Sequence, residues 1–276
     1  MKVRVILTQE VIEVDNCEFK HKIICADCRD EETYKKLIKD KKIKCVFTSP
    51  PYNMGSNLYA NTVGMDYKDN LSSKEYIELN IKTIKNIIPF LKGYVFWNLS
   101  YNINSRWEYI EIFHKIINET GLKFLECIIW DKGVGLPIIS PQILRRTYEQ
   151  ILLIGTEEEV QKELDYIFVG ANIDKIHFKK EGHYALTNYW KITPNGNQTI
   201  VNKATFPLEL PKKGIMLTTN KGDYVLDPFA GTGTTMIASQ ELGRKSFMID
   251  QSERYVSYML ERFEKLTGKQ VIKINT

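Results

Sequence analysis

No run of roughly 18 consecutive apolar residues occurs in the 276-residue sequence, which excludes the usual pattern of a membrane-spanning helix. The opening MKVRVILTQE turns polar too soon to form the apolar core of a signal peptide, so a cytoplasmic protein is expected. Cysteine is sparse and odd in number. Cys17, Cys25, Cys28, Cys45 and Cys127 cannot all pair, and a chain of this length needs no disulfide staples, so reduced thiols are expected. Cys25-Ala26-Asp27-Cys28 has CxxC spacing but lacks the second tight pair that zinc requires, and the histidines lack ligand spacing. No metal centre is expected, and the segment reads as a strand end carrying small side chains. Charge of one sign is also missing, since 38 Lys and Arg face 34 Asp and Glu for a net +4. With 43% hydrophobic and 26% charged residues the composition is that of an ordinary globular protein. There is no internal repeat and no low-complexity linker, and the length suits one large domain or one domain with an insertion.

Short apolar runs alternate with amphipathic stretches. Ile23-Ile24-Cys25 and Cys45-Val46-Phe47 read as strands flanking a lysine-rich helix over Lys35 to Lys44 with a solvated face. Ser72-Ser73-Lys74-Glu75 is a capping box, and Ile77, Ile81, Ile84 and Ile88 behind it fall on one helix face that ends at Pro89. Tyr94 to Trp97 reads as a strand, Trp107 to Glu119 as a helix closed near Gly121, and Phe124 to Trp130 and Gln150 to Ile154 as further strands. After Gly155 the pattern becomes irregular and polar as far as Gln198. Regularity returns with the strand Tyr224 to Leu226, a helix from about Thr234 to Leu242, the strand Ser246 to Ile249, and a last helix with Val256, Met259, Leu260 and Phe263 on one face. Alternation of this kind predicts an α/β fold with a mostly parallel sheet.

The strand at Val225 runs into Asp227-Pro228-Phe229-Ala230-Gly231-Thr232-Gly233-Thr234-Thr235. Glycines between a strand and a helix let the backbone approach a ligand closely. No lysine follows Gly233, which disfavours a P-loop, and Met236 stands where a dinucleotide fingerprint needs a small residue. Asp250 ends the next strand about 20 residues on, where a Rossmann-type sheet places the acid that bonds ribose hydroxyls. A ligand with a ribose and no pyrophosphate fits best. S-adenosylmethionine is one, and its sulfonium would suit an acidic or aromatic neighbour such as Asp227 or Phe229.

Thr48-Ser49-Pro50-Pro51-Tyr52-Asn53 follows the strand ending at Phe47. The prolines stiffen the backbone and carry no N–H, leaving carbonyl oxygens as acceptors. The exocyclic amine of adenine or cytosine is a poor nucleophile because its lone pair is delocalised into the ring. Gripping its hydrogens with the Ser49 hydroxyl and the Pro50 carbonyl would localise that pair on nitrogen. Tyr52 offers a flat face on which an extruded base can stack.

Taken together, the Ser49-Pro50-Pro51-Tyr52 loop and the later Asp227 to Thr235 loop resemble the beta class of DNA amino-methyltransferases, in which the catalytic motif precedes the cofactor motif. The likeness spans nearly the whole chain. It implies a Rossmann-like, seven-stranded methyltransferase sheet, circularly permuted, with S-adenosylmethionine as cofactor. In these terms residues 1–154 form the catalytic half, 155–198 a target-recognition insert, and 199–276 the cofactor-binding half. Asp27 and Cys28 resemble the family's contact with the cofactor adenine, although Ala26 replaces the usual glycine. Phe206 and Pro207, within Thr205 to Leu210, resemble the segment that closes over the methionine part, and the customary histidine ahead of it is replaced by Asn202-Lys203-Ala204. Cofactor contacts are thus expected from Asp27, Cys28, Phe206, Pro207, Asp227, Pro228, Phe229, Gly231, Gly233, Thr234 and Asp250.

Motif order disfavours the protein-glutamine and many RNA methyltransferases, where the cofactor loop comes first. Cytosine-5 chemistry needs a cysteine nucleophile, typically after proline, and none is so placed. Ser49, where adenine enzymes usually carry Asp, favours cytosine-N4 over adenine-N6. Competing readings are an RNA or protein N-methyltransferase and a cofactor-binding regulator without catalysis. Lys175, Lys179 and Lys180 lie among aromatic residues including Tyr184 and Trp190, a composition suited to holding phosphates and bases, and Arg145 and Arg146 could add phosphate or guanine contacts. The expected partner is double-stranded DNA. Family likeness adds a companion restriction endonuclease and a homodimer.

Overall fold

The structure is a computed structural model, and it describes residues 9–14, 19–53, 69–102, 105–133, 144, 146–161, 187–194 and 205–268. Among the described residues nine strands make one sheet. In chain order they are β1 (Val11–Val14), β2 (His21–Cys25), β3 (Ile43–Thr48), β4 (Leu91–Leu99), β5 (Lys123–Asp131), β6 (Tyr148–Gly155), β7 (Tyr189–Lys191), β8 (Tyr224–Asp227) and β9 (Lys245–Asp250). Across the sheet the order is β1-β2-β9-β8-β3-β4-β6-β5-β7. Strands β2, β9, β8, β3 and β4 run parallel, β6 is antiparallel to both of its neighbours, and β1 is antiparallel to β2. The last two strands in sequence sit in the middle of the sheet, so the terminal third of the chain is threaded between β2 and β3.

Helices cover both faces. On one side lie α1 (Glu31–Ile38), α2 (Ser73–Ile87) and α3 (Arg106–Glu119); on the other lie α5 (Glu209–Thr218), α6 (Thr234–Glu241) and α7 (Glu253–Thr267), and the short α4 (Glu157–Gln161) follows β6. Side chains along β3 divide between the two sides. Val46 joins the cluster built with Leu37, Ile84 and Ile112, whereas Cys45 and Phe47 join Leu210, Ile215 and Ala238, as the two-residue period of a strand requires. Both faces being covered, the central strands read as near-continuous apolar runs. Helix α6 is likewise buried from Thr234 to Ser239, because it connects the central strands β8 and β9 and packs between β9 and α5.

Helix α2 begins as the capping box predicts: Ser72 accepts from the Glu75 N–H while the Glu75 carboxylate accepts from the Ser72 N–H. The lysine-rich helix differs. Asp30 caps α1 at Glu32 and the helix is over by Ile38, with Lys39 at φ 58°, so Lys39 to Lys42 form the turn into β3. Among the described residues the sheet has nine strands where seven were expected, with β1 and β7 as its two edges. The irregular stretch after Gly155 returns to the sheet at β7, which pairs in parallel with β5.

Trp190 corrects another expectation. The strand alternates exposed, buried and exposed, which turns Trp190 inward, near Phe96 (6.1 Å between centroids), with its indole N–H bonded to the Thr187 carbonyl. It is 2% exposed and belongs to the core, so it cannot stack on DNA. Cys25 and Cys28 are both buried but join different core clusters, and Cys25, Cys28, Cys45 and Cys127 are free thiols. No helix among the described residues is long and apolar enough to cross a membrane.

Candidate active site

A crevice opens where neighbouring parallel strands send their chains in opposite directions. From β8 the chain passes through α6 to β9 on one side, and from β3 it passes through α2 to β4 on the other. Ligands of open α/β sheets bind outside the carboxyl ends of strands at such a point. Both predicted loops emerge there, Ser49 to Asn53 from β3 and Pro228 to Gly233 from β8. One hydrogen bond joins their roots: the Thr48 hydroxyl donates to Asp227 Oδ1 at 2.6 Å.

Asp227 is 1% exposed, and Oδ1 also takes the Phe229 N–H (3.1 Å) while Oδ2 takes the Thr235 hydroxyl (2.7 Å). Burial raises its pKa to about 6, against the opposing pull of the bonds from Thr48, Thr235 and Phe229. The expectation that Asp227 meets a sulfonium directly gives way to a different role, since its oxygens are directed inward to brace the two loops.

Within the glycine loop the two glycines do different jobs. Gly231, at φ 50°, would carry a Cβ into open space, with nothing nearer than the Phe229 carbonyl at 4.0 Å. Gly233, at φ 78°, would drive a Cβ to 2.3 Å from Met259 Cγ on α7. Gly231 thus leaves room for a ligand beside the backbone, and Gly233 lets α7 close against the start of α6. Arg262, also on α7, clamps the loop by donating to the Thr232 carbonyl (3.0 Å) and the Thr234 hydroxyl (3.0 Å). Thr205 meets Thr232 at 3.2 Å, bringing the Phe206-Pro207 segment alongside, where Phe206 packs edge-on against Phe47. Pro228 is buried, and Phe229 reaches across the crevice to Trp97, 5.9 Å between centroids.

Two further strand ends complete this half. Asp250 closes β9 and takes the N–H groups of Gly231 (2.7 Å) and Ser252 (2.9 Å), which fixes its carboxylate beside the glycine loop. Asp27, past the end of β2, forms a forked pair with Arg29. Partial burial alone would raise its pKa, but the bonds and charge of Arg29 hold it below the ordinary carboxylate range. Cys28 turns away. Its sulfur accepts from Thr83 on α2, and burial pushes the thiol up to about 12, so a side-chain contact with a cofactor is not available from it. An open glycine edge flanked by acids at the ends of β9 and β2 fits a nucleoside-bearing ligand such as S-adenosylmethionine.

On the β3 side, Ser49 and Tyr52 are half-buried and Pro50 is buried. The Ser49 and Tyr52 hydroxyls lie 2.8 Å apart, and the Tyr52 hydroxyl donates to Glu149 Oε2 at 2.7 Å. Asn98, near the end of β4, donates its amide to Tyr52 Oη and to Glu149 Oε2, each at 2.9 Å, and lies 3.3 Å from Ser49 Oγ. Lys132 pairs with Glu149 Oε1 at 2.8 Å. Burial, together with the charge of Glu149, pushes the Tyr52 hydroxyl well above its ordinary range and keeps it a donor. Asn53 holds the loop's far end from a left-handed conformation, φ 54°. Its side chain bonds both backbone groups of Leu71, its N–H donates to Asp69, and its carbonyl accepts from Asn102. Arg146 lies at the same sheet edge, its guanidinium 4.3 Å from the centre of the Tyr101 ring. Arg145, Lys175, Lys179, Lys180 and Tyr184 lie outside the described residues.

Residues 43–261, from the start of β3 into α7, match the N6/N4 family of DNA methylases. The chain belongs to this family. Type II methyltransferase M2.DpnII of Streptococcus pneumoniae is 26% identical over 243 residues, covering 84% of this chain and 87% of that protein. Type II methyltransferase M.HpaI of Haemophilus parainfluenzae is 25% identical, covering 83% and 70%. Among solved structures, the cytosine-N4-specific PvuII DNA methyltransferase superposes with a TM-score of 0.65 at 19% identity, covering 92% of each chain. M1.HpyAVI, solved as a complex with S-adenosylmethionine, has a TM-score of 0.61 at 20% identity, covering 87% of this chain and 98% of that one. The methylase fold is therefore shared even where few residues are. Asn98, Glu149 and Lys132, none of them singled out in the sequence, are the site's additions, and their signal was polarity inside or beside apolar strand runs.

Proposed function

We infer that this DNA methyltransferase moves a methyl group from S-adenosylmethionine to the exocyclic amine of a base extruded from double-stranded DNA, with N4 of cytosine preferred to N6 of adenine. The observation that carries the reading is the Thr48–Asp227 bond at the switch point, which fixes the amine-gripping loop against the cofactor loop in a chain of this family. The preference for cytosine rests on Ser49 standing where adenine enzymes usually carry Asp. S-adenosylmethionine supplies an electrophilic methyl when bound. The chain's own residues orient the amine through Ser49 and the Pro50 carbonyl and stack the base on Tyr52.

Unmethylated genomic DNA treated with the enzyme and digested to nucleosides should contain N4-methylcytosine by mass spectrometry. N6-methyladenine alone would shift the target base, and the absence of any methylated nucleoside would refute the activity. The DNA face is assigned to Arg146 at the crevice edge and, outside the described residues, to Arg145 and to Lys175, Lys179, Lys180 and Tyr184 of the polar stretch. Replacing Lys179 and Lys180 by alanine should weaken DNA binding and lower the slope of log K against log salt by about 2, with cofactor affinity unchanged. A slope equal to that of the parent would remove these lysines from the interface.

A cytoplasmic enzyme accompanied by a restriction endonuclease is the setting these properties suit, and co-purification or genomic adjacency of an endonuclease would test it. Trp107, Ile110 and Ile117 form an apolar row on the outer side of α3, with Trp107 75% exposed. This row supports a homodimer, which sedimentation of the purified protein decides.

A further inference from the structure

The amine that accepts a methyl group must also lose a proton, and the loop after β3 alone offers that proton no destination. Serine cannot keep it. Its hydroxyl is already protonated, so Ser49 can take the amine proton only if it passes its own onward. The hydrogen bonds around it specify the direction. Tyr52 has one hydroxyl proton, and that proton is committed to Glu149 Oε2 at 2.7 Å. In the 2.8 Å contact between Ser49 and Tyr52, Ser49 must therefore be the donor, which leaves its oxygen lone pairs as acceptors. Each of the groups bonded to Glu149 is a donor: the Tyr52 hydroxyl, the Asn98 amide and the Lys132 ammonium. The carboxylate is thus set as an acceptor, and its charge is balanced by Lys132. The same donors fix the amide orientation of Asn98, whose Nδ2 must face the carboxylate.

We propose that Ser49, Tyr52 and Glu149 form a proton relay that carries the amine proton of the target base to Glu149. This rests on the amino-methyltransferase reading of the same site. As the amine nitrogen forms its bond to the methyl carbon, the carbon–sulfur bond of the sulfonium breaks and its electron pair goes to sulfur. One N–H bond breaks, leaving its electron pair on nitrogen, and the proton goes to Ser49 Oγ. The Ser49 proton moves to Tyr52 Oη, and the Tyr52 proton moves to Glu149 Oε2. The products are a neutral methylated amine, a neutral thioether and a neutral Glu149 carboxyl, with both hydroxyls restored. Glu149 lies at the start of β6, opposite Trp130 of β5. The charged or titratable groups bonded to it are Lys132, from the chain just past β5, and Tyr52, from the loop after β3. The Lys132 and Glu149 side chains are each partly exposed, 22% and 10%, so the carboxyl can give its proton to solvent after turnover. Glu149 acts through Tyr52 and is a positioning and proton-accepting residue with no contact to the base.

The test is single-turnover methyl transfer from labelled S-adenosylmethionine to unmethylated genomic DNA, in mixtures of light and heavy water. Wild-type rates should bow downward with deuterium fraction because several protons move together. Glu149→Gln keeps the shape and removes the acceptor, and should slow transfer about 100-fold with a straightened isotope curve and unchanged affinity for S-adenosylmethionine. Tyr52→Phe keeps the ring and cuts the relay at its middle, so it should show the same loss and the same straightened curve. It leaves the Glu149–Lys132 pair intact, which covers the case in which Glu149→Gln fails to fold. The double variant should be no slower than either single one, since one pathway can be cut only once. Wild-type speed in either single variant, multiplicative losses in the double, or a straight wild-type curve would each overturn the relay. Absence of methyl transfer by the wild type would instead refute the underlying activity.

Discussion

Replacing Asp227 by alanine is expected to destabilise the protein by about 3 kcal/mol and to depress cofactor binding and methyl transfer together. The truncation strands the buried Thr48 Oγ1 and the Phe229 N–H, both of which now donate to the carboxylate, and leaves Thr235 Oγ1 only the long contact to the Phe47 carbonyl at 3.5 Å. It also unties the roots of the two loops. Denaturant unfolding, equilibrium binding of S-adenosylmethionine and single-turnover transfer should all register the change. A variant with parental stability and impaired transfer alone would mean that Asp227 acts on the ligand and does not brace the loops. Asp227→Asn separates charge from shape. Its amide oxygen can still accept from Thr48 and Phe229, and Thr235 can turn to accept from the amide nitrogen. The pH dependence has a definite sign. Burial raises the folded pKa to about 6 from an ordinary value of 3.8. Between about pH 4 and 6 the folded protein therefore keeps a proton that the unfolded chain has lost, and stability falls as pH rises. The separation of about 2 units corresponds to about 3 kcal/mol across that window. The asparagine variant has no proton to lose at this position, so wild type should lose ground to it across the same window. Parallel stability curves over that range would show that the carboxylate is not held in this way.

What can be read in the sequence is local. The capping box at Ser72 and Glu75 is completed within one helical turn, and the Asp227 to Thr235 loop contains its own strand end, glycines and helix start. The lysine-rich helix is misplaced because its charge pattern draws attention past its actual cap, Asp30, and its actual end, the positive φ of Lys39. Edge strands β1 and β7 are short, and nothing in Val11–Val14 or Tyr189–Lys191 announces which strand they will pair with. Trp190 misleads for a related reason: in composition it sits among lysines and aromatics, but three residues of pairing with β5 turn its ring inward. The network behind Ser49 is the least legible part. Asn98 and Glu149 meet only because β4 and β6 run antiparallel in one register, with Asn98 opposite Ile151 and Leu99 opposite Gln150. A buried amide in the run Val95 to Leu99 and a carboxylate opening an apolar strand are visible as anomalies. Their meeting is a property of the fold.

Tyr52→Ala should divide the site cleanly along the crevice. Tyr52 packs its ring against the core beneath the β3 loop, and its hydroxyl bonds Ser49, Asn98 and Glu149. Apart from those side chains, its carbonyl accepts from Ser105, a bond that survives the substitution. The groups expected to contact the cofactor are held without Tyr52: Arg262 bonds the Thr232 carbonyl of the glycine loop, Asp250 accepts from the Gly231 and Ser252 N–H groups, and Asp27 pairs with Arg29. Affinity for S-adenosylmethionine should therefore change by less than about twofold, which is under about 0.5 kcal/mol. Methyl transfer has no such insulation. Loss of base stacking alone is worth about 1–3 kcal/mol, and the same change removes the acceptor that orients the Ser49 hydroxyl, so single-turnover transfer should fall by about 100-fold or more. Calorimetric titration of the cofactor beside single-turnover transfer to DNA makes the comparison. Full transfer by the alanine variant would remove Tyr52 from both stacking and orientation, and a parallel loss of cofactor affinity would mean that the two halves of the crevice are coupled through this ring as well as through Asp227.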